Sequence, residues 1–345
     1  MSDTKATLET TRVLDVDGLE VHFPLKAGLF NRQVGTVRAV DGVSFTIDSN
    51  ETLGLVGESG SGKTTIGRSI LRALDPTGGT VGFHLNDEVI DLASISGKSL
   101  RRIRQHMQMI FQDPYSSLNP RMTVRDIIAE PLIVNKLCEG DELEERVRDV
   151  ALRCKLNVEH LRRYPHAFSG GQRQRIGIAR ALVTDPSFVV ADESVSALDV
   201  SIQAEILNLL GELQEELGVA ILFIAHDLSV VAHLSDRVAV MYLGQLVELA
   251  DTAQLFSQPR HPYTEALLSA IPAIDPDRTM KPITLLGEVP SASEPPSGCR
   301  FHTRCPYAED RCRTDEPEWR EIEPGRMVRC HLSDTLELRG AAAPS

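Results

Sequence analysis

Residues 57–65 read GESGSGKTT and match in full the glycine-rich pattern G-x-x-x-x-G-K-[ST]. The stretch ETLGLVG (51–57) ahead of it is apolar and strand-like. Behind it, KTTIGRSILRAL (63–74) carries Ile66, Ile70, Leu71 and Leu74 at helical spacing. A strand, this loop and a helix in succession point to an α/β fold with an anion site at the turn. Gly57, Gly60 and Gly62 permit backbone conformations that other residues resist. The N–H groups of the loop, those of Glu58, Ser59 and Ser61 among them, can therefore face inward on a phosphate. The helix N-terminus around Thr65 adds its partial positive charge. Lys63 can reach the β- and γ-phosphates, and the Thr64 hydroxyl can ligate Mg²⁺. The stretch implies a nucleoside triphosphate.

Charge and hydropathy narrow the setting. The chain has 345 residues, 42% of them hydrophobic and 25% charged, enough for one large domain with an appendage or for two domains. A net charge of −13 and a pI near 5.3 make a poor footprint for the phosphate backbone, so no nucleic-acid partner is expected. No apolar run approaches the roughly 20 residues of a membrane span, and MSDTKATLETTR lacks the apolar core of a signal peptide. The expected location is the cytosol, with docking on a membrane protein still open.

Three later segments add chemistry to the loop. SFVVADES (187–194) is an apolar strand ending in Asp192 and Glu193. A strand-end aspartate beside such a loop holds Mg²⁺, and the adjacent Glu193 is placed to polarise an attacking water. HAFSGGQRQRIGIARAL (166–182) leads from Ser169, Gly170 and Gly171 into a helix, a second anion site at a helix N-terminus. AILFIAHDLS (220–229) puts His226 at the carboxyl end of an apolar strand, where α/β sheets bind ligands. The stripe Ile202, Ile206, Leu209, Leu210, Leu213 and Leu217 over 201–217 reads as core packing.

The segment containing Ser169, Gly170, Gly171 and Gln172 resembles the signature sequence of the ATP-binding cassette (ABC) family. Other elements of that family follow in register. Gln112, in MQMIFQDPYSSLNP, matches the glutamine that senses Mg²⁺ and the γ-phosphate. Ser196-Ala197-Leu198-Asp199 matches the loop that crosses between subunits, and His226 the switch histidine. The resemblance implies an ABC-type α/β fold: an antiparallel β subdomain, a parallel-sheet core, a helical subdomain and a small cysteine-containing C-terminal extension. It also implies ATP with Mg²⁺, the metal held by Thr64, Gln112 and Asp192, and a head-to-tail dimer with two nucleotides at its interface. Glu193, His226 and Gln112 are the expected catalytic set.

FQDPYSSLNPRMTV, RYPHAFSGGQRQRIGIARAL, HDLSVVAHLSDRVAVMYLGQLVE and QPRHPYTEALLSAIP resemble the ATPases of dipeptide and oligopeptide importers, over roughly residues 10–335. VSALDV and the extra PLKAGLFNRQVGTV resemble the second of the two ATPases such importers carry. The resemblance implies a second ATPase (or a homodimer), two membrane permeases and an extracytoplasmic solute-binding protein, with this chain peripheral on the cytoplasmic face. A short permease helix would enter beside the Gln112 loop. Two positions depart from the family pattern: Ser194 stands where proline is common, and Val34 falls near the place of the adenine-stacking aromatic, with Phe30 and Phe23 close by. Nickel, glutathione or an oligosaccharide is the alternative solute for the same subunit type. A soluble ABC protein of ribosomes or DNA repair and an exporter ATPase are the rival classes.

The cysteines divide unevenly. Cys138 and Cys154 lie mid-chain, while Cys299, Cys305, Cys312 and Cys330 fall in the last 47 residues with spacing C-x₅-C-x₆-C-x₁₇-C. In a reducing compartment such a cluster points to metal before disulfides. Thiolates suit zinc or an iron–sulfur cluster, and buried free thiols are the third reading. The resemblance favours a [4Fe–4S] cluster with a structural role. Residues 10–265 are read as the nucleotide-binding domain, with a helical subdomain at about 113–170 that includes the charged helix 141–156. Residues 266–345 are read as the extension, reached through a Pro- and Ser-rich linker at 272–298.

Overall fold

The alternation of apolar residues over 12–48 becomes an antiparallel layer. In the computed structural model, which describes residues 11–27, 32–86, 88–113, 115–194, 199–271 and 282–341, β1 (Arg12–Ala27) pairs with β2 (Arg32–Asp48). Leu14 and Val16 face the core. An irregularity between Val16 and Leu19 resets the parity, so that Leu19 and Val21 face it as well. β4 (Gly78–Leu85) and β5 (Glu88–Asp91) complete a four-stranded sheet in the order β2-β1-β4-β5.

The second sheet holds the parallel core. β3 (Thr52–Val56), β6 (Met107–Ile110), β7 (Phe188–Asp192) and β8 (Ala220–Ile224) run parallel, and β9 (Arg237–Tyr242) lies parallel on the other side of β3. Every residue of β3, β7 and β8 is buried, as expected of strands covered on both faces. Alternate residues serve two cores. Phe188, Val190, Leu222 and Ile224 pack towards the antiparallel layer, with Ile66 and Ile70 of α1 (Lys63–Ile70). Val189, Ala191, Ile221 and Phe223 pack towards the helices. Those helices include α3 (Val124–Asn135), α4 (Asp141–Arg153), α5 (Gly170–Leu182) and α6 (Val200–Leu217); α2 (Gly97–Ile103) precedes β6.

Local readings mostly hold. In α6, Ile206, Leu209, Leu210 and Leu213 are buried, and Ile202 and Leu217 pack against them. Helix α4 is charged outside but buries Leu143, Val147, Val150 and Ala151. Helix α1 is shorter than the 63–74 expected: it ends at Ile70, and Arg72 takes φ +55°. Cys138 and Cys154 are buried among the helices, and burial pushes the Cys154 thiol up to about 12.

After α7 (Leu228–Leu234) and β9, the chain continues through β10 (Gln245–Asp251), α8 (Thr252–Ser257) and α9 (Pro262–Ser269). The C-terminal segment then rejoins the core instead of standing apart. Beyond α10 (Asp310–Thr314), β11 (Arg320–Glu323) and β12 (Arg326–Val328) form a hairpin whose β12 pairs with β10. The large sheet thus reads β11-β12-β10-β9-β3-β8-β7-β6. Arg326 and Glu248 meet at 3.4 Å at this junction with almost no solvent exposure. Among the described residues no helix is long and apolar enough to cross a membrane.

Candidate nucleotide site

Four neighbouring parallel strands end at one place. The glycine-rich loop follows β3, Asp192 closes β7, Gln112 lies two residues beyond β6, and His226 two residues beyond β8. This is the carboxyl edge where open α/β sheets bind ligands.

The loop depends on glycine where other backbone comes closest. A Cβ on Gly57 would stand 2.1 Å from the Met241 carbonyl oxygen. One on Gly62, which caps α1 at φ +112°, would stand 2.1 Å from that of Ala39. Lys63 lies folded into the loop, its ammonium donating to the carbonyls of Gly57 at 2.7 Å and Glu58 at 3.1 Å. Burial lowers its pKa, opposed by Glu193, Asp192 and Glu58. Ser61 is buried with an unpartnered hydroxyl, Ser59 and Gly60 are exposed, and Thr65 is half-buried in the first turn of α1.

The Thr64 hydroxyl donates to Asp192 Oδ1 at 2.9 Å. Asp192 is buried, which raises its pKa against the lowering effect of that hydrogen bond. These oxygens suit Mg²⁺, a hard cation that prefers carboxylate, hydroxyl and water ligands. Gln112 does not join them: its side-chain amide donates to Glu193 Oε2 at 2.6 Å. His226 Nδ1 stands 4.0 Å from Glu193 Oε1, its ring largely exposed. Glu193 itself is held at φ +43°, its N–H donating to the Ile224 carbonyl. Backbone strain at a non-glycine residue here accompanies a carboxylate aimed between two polar partners.

The signature residues form a separate structure on the helical side. Ser169 caps α5, its hydroxyl accepting from the Gln172 N–H at 3.3 Å while Gln172 Oε1 accepts from the Ser169 N–H at 3.0 Å. This capping box, with Gly170 and Gly171 in the first turn, presents a helix N-terminus. Among the described residues no hydrogen bond joins it to the glycine-rich loop. Asp199 caps α6 through its backbone alone and is exposed. Ser196, Ala197 and Leu198 lie outside the described residues, as does Phe30. Val34 is 67% exposed and Phe23 39% exposed on the β1–β2 hairpin.

Residues from far downstream also reach the loop. The Tyr263 hydroxyl accepts from the Glu58 N–H at 2.9 Å, and Arg304 holds the Glu58 carboxylate with two bonds of 2.7 and 3.0 Å. Arg300 bonds Asp41 of β2 and the Leu243 carbonyl. Nothing in the composition of HPYTEAL or GCRFHTRC marks these residues as partners of a loop more than 200 positions earlier.

Among the described residues no three His, Cys, Asp or Glu side chains stand together as a metal-binding set. The four C-terminal cysteines nonetheless share one electrostatic neighbourhood. Burial is the main cause that raises Cys299, Cys305 and Cys330, the latter two to about 12, and charge on neighbouring thiols of the quartet raises each further. Backbone N–H groups oppose this: those of Phe301 and His302 on Cys299, Tyr307 on Cys305, and Leu332 on Cys330. Thiolates as a ligand type suit a soft metal, and the Leu332 N–H donates to Cys330 Sγ at 3.4 Å, but among the described residues the four side chains are not gathered around one position.

Comparison with known proteins agrees with this geometry. A family model described as ABC transporter matches residues 40–196, and one described as the C-terminal region of oligopeptide/dipeptide transporters matches 247–312. The oligopeptide transport ATP-binding protein AppF of Bacillus subtilis is 50% identical over 95% of this chain and 99% of its own length. A probable peptide ABC transporter ATP-binding protein of Sinorhizobium fredii is 51% identical over 93% of this chain and 90% of its own. Among solved structures, the dimeric ATP-binding cassette MJ0796 with ADP and phosphate superposes with a TM-score of 0.60 at 26% identity, covering 69% of this chain and 98% of that one.

Proposed function

The chain belongs to the family of ATP-binding subunits that drive ABC peptide importers, and on that premise we propose which of its residues act and with what partners. It hydrolyses ATP to power peptide import. The observation that carries the assignment of residues is the meeting of the glycine-rich loop, Asp192, Glu193, Gln112 and His226 at the ends of four adjacent strands.

Lys63 leaves the carbonyls of Gly57 and Glu58 for the β- and γ-phosphates, while the loop N–H groups from Glu58 to Thr65 hold the remaining oxygens. Thr64, Asp192 and Gln112 would hold Mg²⁺. When bound, the ion neutralises phosphate charge. Glu193 orients and polarises the attacking water, and His226 faces the γ-phosphate. Ser169, Gly170, Gly171 and Gln172 serve the nucleotide of a facing subunit, with Asp199 in the crossing segment. That separation explains why one chain presents the two halves apart. The hydrolysing unit is accordingly a pair, either with a second homologous ATPase or with another copy.

The import complex further needs two permeases and an extracytoplasmic solute-binding protein, with this chain on the cytoplasmic face. A groove of 610 Å³ lined by Arg68, Leu71, Arg104, Phe111, Glu130 and Arg180 lies between the core and the helical layer. It is the proposed seat of a permease's short helix. Residues 10–265 act as the nucleotide-binding domain, with 113–170 as its helical part and 266–345 as the extension. The four C-terminal thiols are proposed to hold a [4Fe–4S] cluster with a structural role; their soft-ligand chemistry and the Leu332 N–H on Cys330 Sγ support that reading.

Uptake of labelled di- and oligopeptides by cells lacking the chain, complemented with wild type or Lys63→Ala, tests the function. Wild type is expected to restore uptake and the variant to fail. Equal restoration by Lys63→Ala would remove the ATP-driven role. Unimpaired peptide uptake, with loss of nickel, glutathione or oligosaccharide uptake, would reassign the solute.

A further inference from the structure

Glu58 is an unexpected residue in a loop that binds anions. Its carboxylate is near enough to Lys63 to oppose, with Glu193 and Asp192, the lowering of that group's pKa by burial, and the same negative charge opposes a triphosphate. The guanidinium of Arg304 meets it fork to fork, Nη1 on Oε2 at 2.7 Å and Nη2 on Oε1 at 3.0 Å. Such a pair is both strong and directional. The Arg304 side chain is 8% exposed and that of Glu58 29%, so solvent screens the contact only in part.

The surroundings fix Arg304 in place. Its guanidinium lies 5.9 Å from the centre of the Tyr242 ring. Phe301, three residues earlier and fully buried, packs on Tyr242 and Tyr263 at 5.2 and 5.3 Å. Arg300 ties the same segment to Asp41 and Leu243. Tyr263, from α9, accepts the N–H of Glu58. One loop residue is thus held at its backbone and its side chain by groups from outside the loop, and both arginines sit between Cys299 and Cys305.

We propose that Arg304 is a positioning residue for ATP: it neutralises the Glu58 carboxylate and keeps it turned to the extension, so that the cysteine-bearing segment completes the electrostatics of the phosphate loop. This deepens the reading of residues 57–65 as the triphosphate site and rests on it. ATP meets a loop whose only carboxylate is already compensated. Loss of Arg304 leaves that charge beside the phosphates.

The test measures ATP affinity and steady-state kinetics of the full chain at low and high salt, with thermal melting to confirm folding. Arg304→Gln is expected to weaken ATP binding roughly tenfold, with KM changed more than kcat and the difference shrinking at high salt. Adding Glu58→Gln to that variant is expected to restore affinity, because the uncompensated charge is then gone. Arg304→Lys, which keeps the charge, is expected to bind close to wild type, and it carries the test if Arg304→Gln does not fold. The proposal is overturned if Arg304→Gln binds ATP as wild type does, or if the double variant stays as weak as the single. An equal loss in Arg320→Gln, whose ion pair with Asp334 lies elsewhere in the extension, would likewise overturn it. Failure of the underlying site would look different: Lys63→Ala would then leave ATP binding intact.

Discussion

The Thr64 hydroxyl and the Asp192 carboxylate, 128 residues apart in sequence, are hydrogen-bonded at 2.9 Å. The bond opposes the cost of burying Asp192 without cancelling it, since the carboxyl remains raised from its ordinary 3.8. A raised acid stabilises the fold in its protonated form: that contribution is full below pH 3.8 and is lost as pH rises through the higher folded value. At neutral pH the ionised group therefore costs stability. Asp192→Asn is expected to raise the Tm of the nucleotide-free chain by a few degrees, at roughly 2–4 °C per kcal/mol, while abolishing Mg²⁺-dependent hydrolysis. Melting curves should show the advantage at pH 7 and its disappearance as the wild-type carboxyl protonates on acidification.

Glu193 sits between Gln112 and His226. Glu193→Gln keeps the shape and removes the proposed base, so hydrolysis should fall about 10²–10⁴-fold while ATP binding persists. Single-turnover assays beside equilibrium binding make the distinction. Turnover at the wild-type rate would show that another group activates the water.

The Glu248–Arg326 pair is shielded from solvent, and Glu248 also accepts the N–H groups of Arg260 and His261. Removing Arg326 leaves a buried carboxylate without its counter-charge, held by those N–H groups. Arg326→Met is expected to cost about 3–5 kcal/mol, read by denaturant unfolding, and to loosen β12 from β10 in hydrogen exchange. Replacing Glu248 at the same time should recover part of the loss.

In metal-free protein, burial holds the Cys305 and Cys330 thiols at about 12. Alkylation proceeds through the thiolate, so labelling of the folded, metal-free chain at pH 8 should be slow and should accelerate as pH rises. Mass spectrometry with and without denaturant measures this. Protein prepared without oxygen should be coloured and contain iron, and Cys305→Ser should lose both. A colourless, iron-free preparation would leave these cysteines as buried thiols.

The parts of this site that could be read in the sequence share a property: each is a run of consecutive residues whose local conformation does the chemistry. GESGSGKTT, SFVVADES and FSGGQ set a loop, a strand end and a capping box by themselves, and the apolar runs around them fix where they sit on the sheet. Arg304 and Tyr263 gave no such signal. An arginine between two cysteines and a tyrosine in a short helix look like ordinary extension residues until the chain brings them back to Glu58. The end of α1 was missed because Leu71 and Leu74 continue the apolar spacing, whereas the backbone turns at Arg72. The Pro- and Ser-rich stretch 272–298, of which 272–281 lie outside the described residues, carries no sign that β12 pairs with β10.

That pairing has a bearing on how the protein can be cut. A version ending near residue 271, with every proposed catalytic group still present, would bare the flank of β10 at Glu248 and Leu249, where Val328 and Met327 now lie. It would also leave Glu248 without Arg326. Open strand flanks of this kind recruit neighbours. The shortened ATPase should therefore clump rather than float free.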